Sequence, residues 1–291
     1  PKKAKADYAA ELKKFKAAKA KAVAEGTKAP RPPRNAAEVS ERKASYGQLF
    51  NGKVAPLVPY TLKGMLWYQG EANSSDTRAP LYVHQLSALV TDWRARWGEE
   101  LPFAWVQLPN FTRPGEGWPL TREAMLKTLS LPKTGMAVTI DIGEAKDIHP
   151  KNKQEVGRRL SLWALGTVYG RKVAATSGPL PAGHEIKGAE VIVTLAHAEG
   201  LKTRDGGPVK GFQLAGADKQ WKPATARIEG AKLIVTSAEV AAPIALRYAW
   251  LDFPETNLVN SADLPASPFR TDDWAPLPAP APAAKGKGKA K

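Results

Sequence analysis

Residues 136–170 read MAVTIDIGEAKDIHPKNKQEVGRRLSLWALGTVYG, and the fold turns on how they are divided. Met136 to Ile140 (MAVTI) is a short apolar run, as expected of a buried strand, which is read as extending to Ile142. Lys151 to Tyr169 spaces its apolar residues for an amphipathic helix, with Pro150 suited to the first turn. The stretch between them, DIGEAKDIHP from Asp141 to Pro150, holds carboxylates and one histidine. A histidine at the mouth of a strand-to-helix turn, with Asp147 two residues before it, has the makings of a general base and its orienting acid. A surface loop of merely solvated charges satisfies the same residues.

The same grammar runs upstream. Met65–Tyr68 (MLWY) reads as a strand, and QGEANSS after it as a polar loop of small residues. Pro80 to Trp97 reads as a helix with Leu81, Gln85, Leu86, Leu89, Val90, Trp93 and Trp97 on one face. Gly98 ends that helix. Phe103–Leu108 (FAWVQL) is a further strand, Pro109–Pro119 a loop and Leu120–Leu129 a helix. Alternating strands and helices imply a parallel sheet with helices on both faces. Sites in such sheets lie at the carboxyl ends of the strands, where the loops after Tyr68 and Ile142 both fall.

Beyond about Val173 the period changes to two. VIVTLAH, LIVTSAEV and IALRYAW alternate or run apolar between breaks such as Asp205-Gly206-Gly207, which reads as a small all-β, sandwich-like domain. The expected division is therefore 1–45, a basic Lys/Ala-rich helix and Pro-rich linker; 46–172, α/β; 173–274, β-rich; and 275–291, a disordered Pro/Ala/Lys tail. Within the first part, residues 2–25 space Tyr8, Leu12, Phe15 and Val23 as a thin apolar stripe that Gly26 ends.

Of the formal charge of +15, residues 1–45 supply +8 and residues 276–291 supply +4, which leaves +3 between them. Basicity confined to the ends is no shaped groove, so no specific nucleic-acid role is expected. The sequence has no apolar run long enough for a membrane span. Cysteine is absent, which excludes disulfides and a cysteine nucleophile. His84, His184 and His197 sit in unrelated segments without metal-ligand spacing, and His84 reads as partly buried packing on its helix.

Two loops carry the candidate chemistry. In Gln69-Gly70-Glu71-Ala72-Asn73, a glycine N–H beside an amide side chain, from Gln69 or Asn73, can form part of an oxyanion hole. Glu71 can brace the loop or orient a partner. In Asp147-Ile148-His149-Pro150, His149 can accept a hydroxyl proton while Asp147 fixes its tautomer.

MLWYQGEAN, LPFAWVQLPNF, TGMAVTIDIGEAKDIHPKNKQEVGRRL and NLVNSADLPASPFRTDDW together resemble the sialate O-acetylesterase family, over nearly everything from Tyr46 to Trp274. The resemblance implies an SGNH-type esterase of acetylated sugars: an α/β fold, part of a three-layer α/β/α hydrolase domain with a parallel sheet, followed by the small β domain. It implies metal-free, cofactor-free serine chemistry, with His149 as base and Asp147 as its partner. Gln69, Gly70 and Asn73 correspond to the block that helps form the oxyanion hole.

Two departures stand out. Many SGNH enzymes place the acid three residues before the histidine, where this chain has Lys146; either Asp147 or a backbone carbonyl then orients His149. The family's nucleophilic serine stands in a Gly-Gln-Ser-Asn context, whereas Gly47-Gln48 is followed here by Leu49. Ser74 and Ser75 lack that setting. The resemblance therefore leads to the expectation of a C-terminal fragment that lacks the nucleophile and is nearly inert alone. A leader peptide upstream, and a periplasmic or secreted protein, are expected with it. The rival expectation is a non-catalytic carbohydrate-binding or scaffold protein that keeps the fold, with Trp118, Trp221 and Trp250 available to stack on sugars.

Overall fold

A computed structural model describes residues 2–33 and 47–275. The stretch 34–46, and all of the expected tail except Ala275, lie outside the described residues. The chain forms two compact units, residues 1–61 and 62–291.

In the first unit α1 (Lys2–Ala24) is a Lys/Ala helix. It ends where Gly26 takes φ +63° and Thr27 N–H donates to Ala22 O at 2.8 Å. Tyr8, Leu12 and Phe15 are half-buried, but Val23 is 70% exposed and Ala22 is buried in its place. Residues 27–33 carry neither helix nor strand. Phe50–Val54 and Ala55–Leu57 form successive π- and 3₁₀-helical turns.

The second unit begins with a parallel sheet. β1 (Met65–Trp67), β2 (Phe103–Val106) and β3 (Thr134–Ala137) pair in that order, with Met65 opposite Phe103 and Phe103 opposite Thr134. Between them run α2 (Tyr82–Trp97) and α3 (Gly117–Thr128), and α4 (Lys153–Trp163) follows β3.

Side chains alternate faces along a strand, so the register assigns the layers. Trp67 and Phe103 share one face and meet Trp93 of α2 at ring-centroid distances of 6.0 and 6.2 Å. Gly135 points to the other face, where a Cβ would fall 2.1 Å from the Trp163 ring of α4. Helices thus cover both faces, as the alternation requires. β2 and β3 are largely buried on both sides, which is why they read as continuous apolar runs, whereas Leu66 of β1 is exposed.

Several boundaries differ from those read off the sequence. β3 starts at Thr134 and ends at Ala137; Val138 to Ile140 stay buried without pairing. α3 begins at Gly117, three residues early, because Gly117 N–H donates to Asp76 Oδ1 at 2.7 Å. α4 begins at Lys153, not Lys151. Asn152 is its cap, accepting from Glu155 N–H at 3.1 Å, and the helix loosens into a π turn over Ala164–Val168. On α2 the buried residues are Tyr82, Leu86 and Val90, whereas Leu81, His84 and Gln85 are exposed. A short 3₁₀ turn, Ala79–Leu81, rotates the helix start and hands the core position to Tyr82.

The remainder is antiparallel. One sheet orders β4 (Leu180–Lys187), β5 (Glu190–Ala196), β10 (Lys232–Thr236) and β9 (Thr225–Glu229). Another orders β13 (Phe269–Arg270), β11 (Ala245–Tyr248), β7 (Phe212–Ala215) and β8 (Lys222–Pro223). A two-stranded piece pairs β12 (Leu258–Val259) with β6 (Lys202–Thr203). One buried apolar cluster runs from Met65, Phe103 and Ile140 through to Val191, Leu233, Leu246 and Tyr248, so both halves share a core.

Candidate active site

The loop after β1 is braced from within. Gln69 Nε2 donates to Asn73 Oδ1 at 2.9 Å, and Asn73 Nδ2 donates to Gln85 Oε1 at 2.7 Å. Tyr82, the buried first residue of α2, donates to Gln69 O at 2.8 Å. Burial pushes the Tyr68 and Tyr82 phenols up to about 12, and the Glu71 carboxylate adds to the rise, so both stay protonated donors at neutral pH. Gly70 is closely packed: a Cβ would lie 2.7 Å from Met125 Cε and 3.3 Å from Leu108 Cδ2, so a larger residue would displace those side chains. Its own N–H meets no acceptor among the described residues.

Ser74 is fully buried. Its hydroxyl donates to Glu71 O at 2.7 Å and accepts from Arg113 Nη1 at 2.9 Å. Ser75 pairs with Thr77 at 3.4 Å. Among the described residues no serine hydroxyl lies in hydrogen-bond contact with His149.

The histidine loop is held differently. Gly143 N–H donates to Asn110 Oδ1 at 2.6 Å, and Thr112 N–H donates to Ala145 O at 3.1 Å. A Cβ on Gly143 would sit 2.0 Å from Asn110 O, so this close approach demands glycine. Glu144 pairs with Asp147 as an antiparallel bridge, and its carboxylate accepts from Lys151 N–H at 3.3 Å. At the tip, His149 N–H donates to Asp147 Oδ1 at 2.9 Å, with His149 Nδ1 3.5 Å from the same oxygen. The backbone N–H of His149 is the main cause that holds the Asp147 carboxyl below its ordinary range; the imidazole and Lys151 add to it. The His149 side chain is 84% exposed.

The two loops meet through intermediaries. Lys153, four residues after His149, places Nζ 4.7 Å over the Tyr68 ring and 3.4 Å from its hydroxyl. The loop after β2 does more. Asn110 and Thr112 grip the histidine loop, and Arg113 Nη1 reaches Ser74 Oγ at 2.9 Å and Glu71 O at 3.4 Å in the other. Asn110, Thr112 and Arg113 were not singled out from sequence. The signal available was position: β2 lies between β1 and β3, so its loop must lie between theirs.

Beneath that staple sits Arg122, wholly buried, donating to Leu108 O, Pro109 O, Leu251 O and Asp252 O at 2.7–2.9 Å. Complete burial pushes its guanidinium down to about 9. Trp118 and Trp250 are core residues, 1% and 5% exposed, so neither offers a face to a sugar. Trp221 is half-buried and packs against Trp274, the ring centroids 5.2 Å apart and the planes tilted by 45°.

The described helices include none long and apolar enough to cross a membrane. A family profile for carbohydrate esterases, sialic acid-specific acetylesterase, matches residues 36–165. A solved carbohydrate acetylesterase from Xanthomonas citri superposes with a TM-score of 0.75 at 45% identity, over 79% of this chain and 57% of that one. The chain belongs to the sialate O-acetylesterase family of carbohydrate esterases. Sialate O-acetylesterase of Homo sapiens is 30% identical over 258 residues, 78% of this chain and 49% of that protein. That of Mus musculus is 29% identical over 232 residues, 71% of this chain and 42% of that protein. The chain thus spans about half the length of these two relatives.

Proposed function

We propose that this chain carries the acid–base and oxyanion side of an esterase that removes acetyl groups from sugars. The observation that bears most weight is the Asp147–His149 pair at the carboxyl end of the parallel sheet, in a chain of this family. Asp147 draws Nδ1–H of the neutral imidazole toward itself, leaving Nε2 as the base. His149 accepts the proton of a serine hydroxyl as that oxygen attacks the acetyl carbonyl. The Gly70 N–H, with the amide of Gln69 or Asn73, meets the developing oxyanion. His149 then returns the proton to the departing sugar oxygen, which leaves as a hydroxyl, and water releases acetate from the acyl-serine.

The serine is expected from outside these 291 residues. In support, Ser74 is buried and committed to Glu71 O and Arg113, and Ser75 faces Thr77. The test is hydrolysis of p-nitrophenyl acetate and of acetylated sugars by this chain. The expected rate is close to that of buffer. Clear turnover lost in Ser75→Ala would place the nucleophile within the chain. Turnover that His149→Ala leaves untouched would remove the histidine from the mechanism.

A further inference from the structure

A charge cluster, buried at Asp141 and Arg159 and open at Arg204, joins the stretch that carries His149 to the antiparallel half. Asp141 is 6% exposed in its side chain and accepts from Arg159 Nη1 at 2.6 Å and Nη2 at 2.9 Å. Arg159, on α4, also donates to Glu155 Oε1 at 2.7 Å and to Val138 O at 2.5 Å. Asp141 has a second cation: Arg204 Nη2 stands 3.0 Å from its Oδ2. Arg204 lies directly after β6 and is fixed on its own side. Its N–H reaches Asn257 O at 2.8 Å, its Nε reaches Asp263 Oδ1 at 2.7 Å, and its Nη2 reaches Asp263 O at 3.2 Å.

We propose that Arg204 is a positioning residue for His149, acting through Asp141, so that the antiparallel half sets the geometry of the catalytic loop. This rests on the esterase reading above. Arg159 is rooted in the helix that follows the loop, so alone it ties the two ends of the loop to each other. Arg204 ties them to a separate frame. From Asp141 the constraint passes along a loop fixed at alternate residues: Gly143 by Asn110 and Ala145 by Thr112. Glu144 then carries it to both flanks of His149, through its bridge to Asp147 and its carboxylate on Lys151. The charge count makes the idea testable. Without Arg204, Asp141 keeps its bidentate partner Arg159, so a buried carboxylate is not stranded and the fold persists.

Arg204→Gln and Arg204→Lys in this chain decide the matter, read by the ring ¹⁵N spectrum of His149 above pH 8 and by thermal unfolding. The expected result for Arg204→Gln is at least a twofold loss of the Nδ1–H tautomer without loss of the folded state, with recovery in Arg204→Lys. Asp263→Asn, which frees Arg204 from its other carboxylate, should move the spectrum in the same direction and serves as the arm if Arg204→Gln fails to fold. Where hydrolysis is measured, kcat falls on the order of tenfold at unchanged KM, as a misplaced base requires. A His149 spectrum and a kcat both indifferent to Arg204→Gln or Asp263→Asn would overturn the proposal. A shifted spectrum in a protein without esterase activity in any setting would instead sink the esterase reading and leave the positioning role standing.

Discussion

The two loops at the carboxyl edge of the parallel sheet are built on opposite principles. In the loop after β1, side chains answer one another: Gln69 to Asn73, Asn73 to Gln85, Tyr82 back to Gln69. The loop after β3 is gripped at its base and bare at its tip, where His149 stands in solvent beside one carboxylate. An oxyanion site needs donors that do not reorganise as charge develops, so rigidity suits the role proposed for the first loop. A base must meet its proton donor and give the proton up again, so access suits the role proposed for the second. Substitutions should therefore cost stability in and under the first loop and chemistry at the tip of the second.

The largest stability loss is expected beneath both loops. Arg122→Met strips the donors from two buried and two partly buried carbonyls and should cost about 3–5 kcal/mol in denaturant unfolding, by the usual price of orphaning buried polar groups. In the loop after β1, Gly70→Ala forces a methyl against Met125 and Leu108 and should cost about 1–3 kcal/mol as overpacking. Behind the histidine tip, Glu155 is held down to about 2, first by its bonds from Arg158 and then by Arg159. Its folded pKa lies below its ordinary 4.5, so its stabilisation is full above pH 4.5 and drains away as pH falls toward 2. Glu155→Gln should flatten acid unfolding across that window. Smallest in stability is His149→Ala, expected within about 0.5 kcal/mol because the side chain is exposed. Any acetyl-ester turnover should vanish with it. A reversal, with His149→Ala unfolding the protein and Gly70→Ala silent, would break the contrast between the loops.

Elements with strong local periodicity were legible in the sequence. MLWY and FAWVQL became β1 and β2, and VIVTLAH, LIVTSAEV and IALRYAW became β5, β10 and β11. β4 escaped because LPAGHEIK carries Pro and Gly and leaves most of its side chains exposed, so neither apolar period nor propensity marks it. At the candidate site, the local contact of Asp147 with His149 followed from their spacing. Asn110, Arg113, Arg122 and Arg204 could not. Their partners lie 13 residues away or more, and no spacing rule announces a guanidinium that will meet a carbonyl 130 positions later.

β1 has one further consequence. β2 pairs along one side of it, and the described residues place no strand along the other. On the face that α4 covers only in part, Leu66 is 60% exposed, Leu165 37% and Tyr169 56%. Unpaired peptide groups beside bare aliphatic and aromatic surface form a template for strand addition. In the laboratory this predicts a sticky preparation. It should bind a hydrophobic dye while fully folded, elute earlier from a sizing column as concentration rises, and become better behaved when Leu66 is replaced by lysine.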